Sequence, residues 1–261
     1  MYINRPNINS MNVNNMNANR FNVGGMADGI TEQLRQQGYC HLHASQEWIA
    51  VEPEEEQSFK AYWDNLVEDE NFKNYTRRER RILRFFCHPD RSLQLNTDAD
   101  YCSTVTYNID YNAGPNRLQY AEAGFIHHPL LQRIVATDMA MIRPWLAAEQ
   151  SYAIDIHQFR VRAEKGNNSP TTSGIHQDGM AWICMHFIQS KGTQPVVSEI
   201  FTTAEEHEPP LLATAMSRFL ETLIVDDKTL YHRAGPVCPV AEATSAYRDL
   251  LLVTFRPVQE S

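Results

Sequence analysis

The sequence offers little from which covalent or membrane structure could be built. It has only five cysteines in 261 residues, Cys40, Cys87, Cys102, Cys184 and Cys238. The number is odd, the spacings are wide and no C-x-x-C occurs, which argues against a disulfide framework and against a cysteine-type zinc site. A reducing, cytoplasmic setting is the expectation. No apolar run approaches the ~20 residues that span a bilayer, and the polar N-terminus does not read as a secretory signal, so no membrane partner is expected. Positive charge is also scarce: 23 Lys and Arg against 32 Asp and Glu, a formal net charge of -9. Neutralising phosphates needs clustered cations, so no nucleic-acid partner is expected. The nearest basic run, Arg77-Arg78-Glu79-Arg80-Arg81, is interrupted by a glutamate and reads as a solvated surface patch. No internal repeat is visible.

What is present is ordinary for a globular protein: 43% hydrophobic and 21% charged residues. Residues 1–25 stand apart, with asparagine recurring from Asn4 to Asn22 before Gly24-Gly25. Such a tract buries too little apolar surface to offset chain entropy, and disorder is expected there. A helix is predicted over residues 29–37, closed by Gly38, then a strand over Tyr39–Leu42. Glu54–Glu68 has acids in its first turn and Phe59, Tyr62, Trp63 and Leu66 at helical spacing, which predicts an amphipathic helix. Pro129 opens another, running to about Trp145. After residue 150 the period changes to two. Tyr152–Ala163, Ala181–Gln189, Val196–Thr202, Leu223–Val225 and Leu250–Phe255 all alternate like strands, separated by Gly, Pro, Asn and Ser clusters. The expected architecture is α+β, mainly β: a sandwich or jelly-roll core over about residues 100–257, buttressed by helices within residues 26–150, in one domain from 26 to 261.

One constellation carries chemistry. His176 and Asp178, in Gly174-Ile175-His176-Gln177-Asp178-Gly179, sit just ahead of a predicted strand. In extended chain, residues two apart project to the same side. His232 lies 54 positions beyond Asp178 in another strand-like region and is the natural third ligand. Two imidazoles and one carboxylate on one face of a metal leave three octahedral positions open, the facial-triad pattern of non-haem Fe(II) oxygenases. Spacing alone is weak support. With 10 histidines and 32 acids, about one His-x-acid is expected by chance. His88-Pro89-Asp90 is such a match, and its proline marks a turn. Order and setting give His176 its weight: an apolar strand follows it, a second histidine comes later, and Arg248 stands ahead of the last strand.

The stretches GIHQDGMAWICMHFIQ, VSEIF, DDKTLYHRAGPVCPV and YRDLLLVTF resemble the bacterial 2-oxoglutarate/Fe(II)-dependent dioxygenase family that includes L-isoleucine 4-hydroxylase and related free L-amino-acid hydroxylases. The likeness covers roughly residues 150–257. A weaker echo lies at Tyr107-Asn108 and Gly114-Pro115-Asn116-Arg117. The resemblance implies a double-stranded β-helix, a cupin-like jelly roll. It implies Fe(II) on His176, Asp178 and His232, and 2-oxoglutarate and O2 as cosubstrates. It further implies hydroxylation of a free aliphatic L-amino acid, leucine- or isoleucine-like, coupled to decarboxylation of 2-oxoglutarate to succinate, with ascorbate as an activator in vitro. Arg248 matches the family's Arg-Asp before the last strand and would pair with the distal carboxylate of 2-oxoglutarate, for which a planar guanidinium is suited. Arg256, eight residues on, is its rival. Both histidines must be neutral to ligate, so metal affinity should fall in acid.

A free amino acid needs a cation for its carboxylate, and Arg160, sharing a strand face with Gln158, is a candidate. Trp182 and Phe187 are candidates for an apolar wall. Where the family has a Gly-Gly turn, this chain has Val196-Val197, a change that bears on the substrate pocket rather than the fold. Two other readings stay open. One is a non-catalytic jelly roll that binds a metal or small ligand. The other is a cupin-type enzyme without 2-oxoglutarate, though the one His-x-His pair, His41 and His43, reads as structural or surface.

Overall fold

A computed structural model describes residues 26–70, 76–96, 118–171 and 174–258. The Asn-rich tail, Cys102, Tyr107-Asn108 and Gly114–Arg117 lie outside the described residues. Helix α1 (Met26–Gln37) buries Ile30 and Leu34 and ends where Gly38 takes a φ of 74°, a left-handed turn that a glycine adopts without a side-chain clash. Strand β1 (Tyr39–Leu42) follows. Helix α2 (Pro53–Lys60) starts on Pro53 with Glu54, Glu55 and Glu56 in its first turn.

The helix predicted to reach Glu68 stops short. After one 3-10 turn, Ala61–Trp63, the chain turns into β2 (Val67–Glu68). Tertiary contacts outweigh helix propensity here: the Trp63 indole donates to the Phe159 carbonyl at 3.0 Å, and the strand delivers buried Asp69 to two arginines.

Those arginines belong to β3 (Arg77–Cys87), which sequence reading took for a solvated patch at its basic end. The structure corrects that. Arg78, Arg80 and Arg84 are 9%, 4% and 6% exposed, because alternate residues of a strand face the same way. Arg78 donates to Asp69 through Nε and Nη2 at 3.0 and 2.7 Å, Arg80 Nε lies 3.1 Å from the same carboxylate, and Arg84 pairs with Asp155. Only the other side of the run, Arg77 and Arg81, meets solvent.

Strand β4 (Leu93–Leu95), the short helix α3 (Ala123–Ile126) and α4 (Pro129–Ile142) come next. His128 caps α4 by accepting the Leu130 N–H, and the helix buries Leu130, Leu131, Ile134, Val135, Met141 and Ile142. The remaining strands are β5 (Tyr152–Glu164), β6 (Trp182–Lys191), β7 (Ser198–Phe201), β8 (Leu212–Thr214), β9 (Thr222–Asp226), β10 (Tyr231–Ala234) and β11 (Ser245–Pro257).

They form two sheets. The larger has eight strands in the order β1-β9-β6-β11-β5-β3-β2, with β4 beside β3, and the smaller runs β10-β7-β8. Every named strand pair is antiparallel. Strands β1 to β4 therefore belong to the larger sheet. One face of the large sheet packs on the helices: Leu83, Ile154, Ile156, Cys184, Leu251 and Val253 join Phe59, Phe125 and Ile134. The other face meets the small sheet through Phe187, Leu223, Val225, Ile200, Met216 and Leu230. This inter-sheet space is where the site lies. Among the described residues no helix is long and apolar enough to cross a membrane.

One buried ion pair pins the centre of the large sheet. Asp249 stands opposite Arg160 in the β11–β5 register, and the two join by a fork of 2.7 and 2.7 Å bonds on the helix side. Both are buried, Asp249 fully. Asp249→Ala leaves a buried guanidinium without its partner and is expected to cost about 3–5 kcal/mol, whereas Arg160→Met/Asp249→Leu should lie close to the parent. Urea unfolding of both variants measures this; equal losses would contradict the assignment.

Candidate metal centre

The loop ahead of β6 reaches the small sheet at one point. His176 and His232 exchange main-chain hydrogen bonds, 3.0 Å from His176 N and 2.9 Å from His232 N, as a local antiparallel bridge. Directly opposed residues project their side chains to the same side, and the two imidazoles lie with centroids 4.4 Å apart. Asp178, two residues on, joins them. Its carboxylate oxygens are 3.6 Å from His176 Nε2 and 3.5 Å from His232 Nε2. A single ion at bond lengths of about 2.0–2.2 Å bridges such separations.

The far ring nitrogen of His176 is held: Nδ1 lies 3.1 Å from the Gly174 carbonyl. With Nδ1 protonated, His176 Nε2 is left free to ligate, as outer partners arrange for metal-bound histidines. His232 Nδ1 is buried 3.5 Å from Asp227 Oδ1 and makes no hydrogen bond among the described residues. His232 sits opposite Ile200, which is buried between the sheets, so the three donors open into that space.

Sequence reasoning missed Asp227. Its carboxylate accepts the N–H of Asp178 at 3.0 Å and of Met180 at 2.8 Å, tying the loop to the turn before β10. An acid beside Asp226 in an acidic turn gives no sequence signal of this role. Burial opposes ionisation of Asp178, but His176 and His232 outweigh it and hold the carboxyl well below the usual range. Burial depresses His176 too, yet Asp178 and the Gly174 carbonyl prevail and raise it. Burial, then His176, pushes His232 down. Burial and the Asp178 charge push Asp227 up to about 8. Two acids this close repel, and a cation among the three donors offsets that repulsion.

Arg248 faces the same space. It is 3% exposed and its Nη2 donates to Ser198 Oγ at 3.1 Å, on the strand beside β10. Its Nε and Nη1 have no hydrogen-bond partner among the described residues. Burial pushes the guanidinium down to about 10, against the attraction of Glu221. A buried guanidinium with two idle donors is costly, and an anionic oxygen from a ligand would offset that cost. The three donors therefore fit a metal ion, and Arg248 fits an anionic group.

The other sequence candidates are placed elsewhere. Arg256 shares the parity of Arg248 but is exposed at the far end of β11. Arg160 points to the opposite face, locked to Asp249 and stacked on Tyr247 at 4.4 Å, so it does not reach the inter-sheet space. Trp182 also faces the helices, against Trp145. Phe187 does line the space between the sheets. Val196 is buried with Val161, Ala163, Val237 and Ala246, while Val197 is exposed. His88-Pro89-Asp90 forms a surface turn, closed by Arg91 N to the His88 carbonyl.

Comparison with known proteins gives concordant findings. Residues 60–254 match the 2OG-Fe dioxygenase family. An L-isoleucine-4-hydroxylase from Bacillus thuringiensis is 25% identical over 194 residues, covering 73% of this chain and 78% of that protein. Among solved structures, IDO from Bacillus thuringiensis superposes with a TM-score of 0.73 at 20% identity, covering 89% of this chain and 96% of its own. A bsmA homolog from Methylobium petroleophilum PM1 gives 0.76 at 22% identity, covering 88% and 92%. The chain belongs to the 2OG-Fe dioxygenase family. It is an oxidoreductase with the jelly-roll core of that class, which favours catalysis over a purely binding role.

Proposed function

We propose that this protein hydroxylates an unactivated C–H bond of a free aliphatic L-amino acid of the leucine or isoleucine type, with Fe(II) on His176, Asp178 and His232 and 2-oxoglutarate anchored by Arg248. The observation that carries the reading is the pairing, in one inter-sheet space, of a convergent two-imidazole, one-carboxylate set with a buried arginine that keeps two donors idle. Iron bound there with 2-oxoglutarate and O2 would supply the oxidising chemistry, with succinate and CO2 as coproducts. The chain's own residues do the rest. His232 stays neutral and Asp178 stays ionised, the forms that ligate. The unpartnered donors of Arg248 would hold the distal carboxylate of the cosubstrate. Phe187, Ile200, Leu223 and Met216 form the apolar part of the inter-sheet space and exclude water from it.

The amino-acid class is supported by the L-isoleucine-4-hydroxylase relative. A reducing cytoplasm suits Fe(II) and the free thiols of Cys40, Cys87, Cys184 and Cys238. Residues 26–261 would act as one catalytic domain. The test is aerobic incubation with Fe(II), ascorbate, 2-oxoglutarate and a panel of free L-amino acids. Succinate release together with one added oxygen in leucine- or isoleucine-like members is expected. Uncoupled succinate release with every member would reject the substrate class.

A further inference from the structure

A second group of metal-ligating side chains lies at the edge of the large sheet, apart from His176, Asp178 and His232. It comprises His41, His43 and Glu221, each offering one ligand atom within 4.8 Å of the others. The sequence alone gave His41-x-His43 a structural or surface reading; the third member comes from 178 positions beyond His43 and only the fold reveals it. The β1–β9 register explains the meeting. His41 pairs with Leu223 and Leu42 with Thr222, so the next step brings His43 level with Glu221. Residues two apart share a side, which sets the imidazoles next to each other with centroids 4.0 Å apart and planes tilted by 52°.

Glu221 is 5% exposed and its carboxylate is fixed at both oxygens. Oε2 accepts the N–H of Ser217 at 2.8 Å and of Arg218 at 3.2 Å, while Oε1 lies 2.8 Å from His41 Nε2. A simple histidine–glutamate pair accounts for His41. It does not account for His43, whose ring is exposed, lies against His41 and makes no side-chain hydrogen bond among the described residues. Three donors, a buried oriented carboxylate and an open side toward water are what a three-ligand divalent site needs.

We propose that His41, His43 and Glu221 bind a second divalent transition-metal ion, of the Zn2+ or Co2+ class, with water completing the shell. Two nitrogen donors and one oxygen favour such borderline ions over Mg2+ or Ca2+, which take oxygen ligands. Bound there, the ion joins edge strand β1 to the turn that opens β9.

The experiment uses the full chain and Co2+ as the probe, with bound metal counted by mass spectrometry after desalting. The parent protein is expected to retain two equivalents and His176→Ala/Asp178→Ala one. In that double variant Co2+ should raise Tm by roughly 5–10 °C at a hundredfold excess over Kd. Adding His43→Ala, an exposed position that leaves folding untouched, should remove both the remaining equivalent and the Tm rise. Glu221→Gln, which keeps the side-chain shape, should do the same, with circular dichroism confirming the fold. No retained metal in His176→Ala/Asp178→Ala, or an equivalent that survives both His43→Ala and Glu221→Gln, overturns the proposal.

Discussion

Alanine at any one of His176, Asp178 or His232 is expected to abolish turnover while the protein stays folded. Loss of a mere outer partner of a metal ligand costs roughly 10–100-fold, and removal of a ligand itself should cost more. Fold retention follows from how the site is built. The link between the loop and the small sheet at this point is made by main-chain atoms of His176 and His232, which any side chain leaves in place. Asp227 holds the Asp178 and Met180 N–H groups by itself. Removing one imidazole relieves a pair of rings 4.4 Å apart, and removing Asp178 relieves the repulsion on Asp227. Turnover assays with circular dichroism on each variant measure this. Full activity in any of the three removes that residue from the ligand set.

Arg248→Ala should raise the KM for 2-oxoglutarate far more than the KM for the prime substrate. Losing a buried, charge-assisted contact costs about 2–5 kcal/mol, which is roughly 30-fold or more in affinity. Ser198→Ala removes only the single 3.1 Å bond that orients the guanidinium and should cost about 0.5–1.5 kcal/mol. Steady-state kinetics with each substrate varied in turn separates the cases. Equal rises in both KM values would give Arg248 a role other than a 2-oxoglutarate clamp.

Much of this was legible in sequence, for identifiable reasons. The long strands β5, β6 and β11 announce themselves because alternation survives over many residues. His176 and Asp178 share a side by simple parity, and Arg248 stands out as a cation leading into an apolar strand. Non-local partners were not legible. Nothing around residues 77–81 says that Asp69 waits to receive Arg78 and Arg80, so buried arginines looked like solvated ones. Arg160 is a cation on a core strand, as a substrate ligand would be, but its fate is decided by Asp249, 89 positions away. Glu221 and Asp227 are acids in turns, and only pairing across β1–β9 and β10 gives them work. The α2 helix ended early because contacts made by Trp63 and Asp69 lie outside any local window.

Arg248 and Asp249 are neighbours of opposite charge on opposite faces of the same strand. A sheet register that slipped by one residue would exchange them. The inter-sheet space would then receive an aspartate in place of the guanidinium, and Arg160 would face no anion. Such a misfolded sheet would still bury most of its apolar residues, since β11 is apolar on both faces from Leu250 to Val253. The Arg160–Asp249 fork is what makes the slipped state expensive. The buried Arg160–Asp249 pair thus disfavours the slipped alignment and fixes which face of the sheet carries the Arg248 guanidinium.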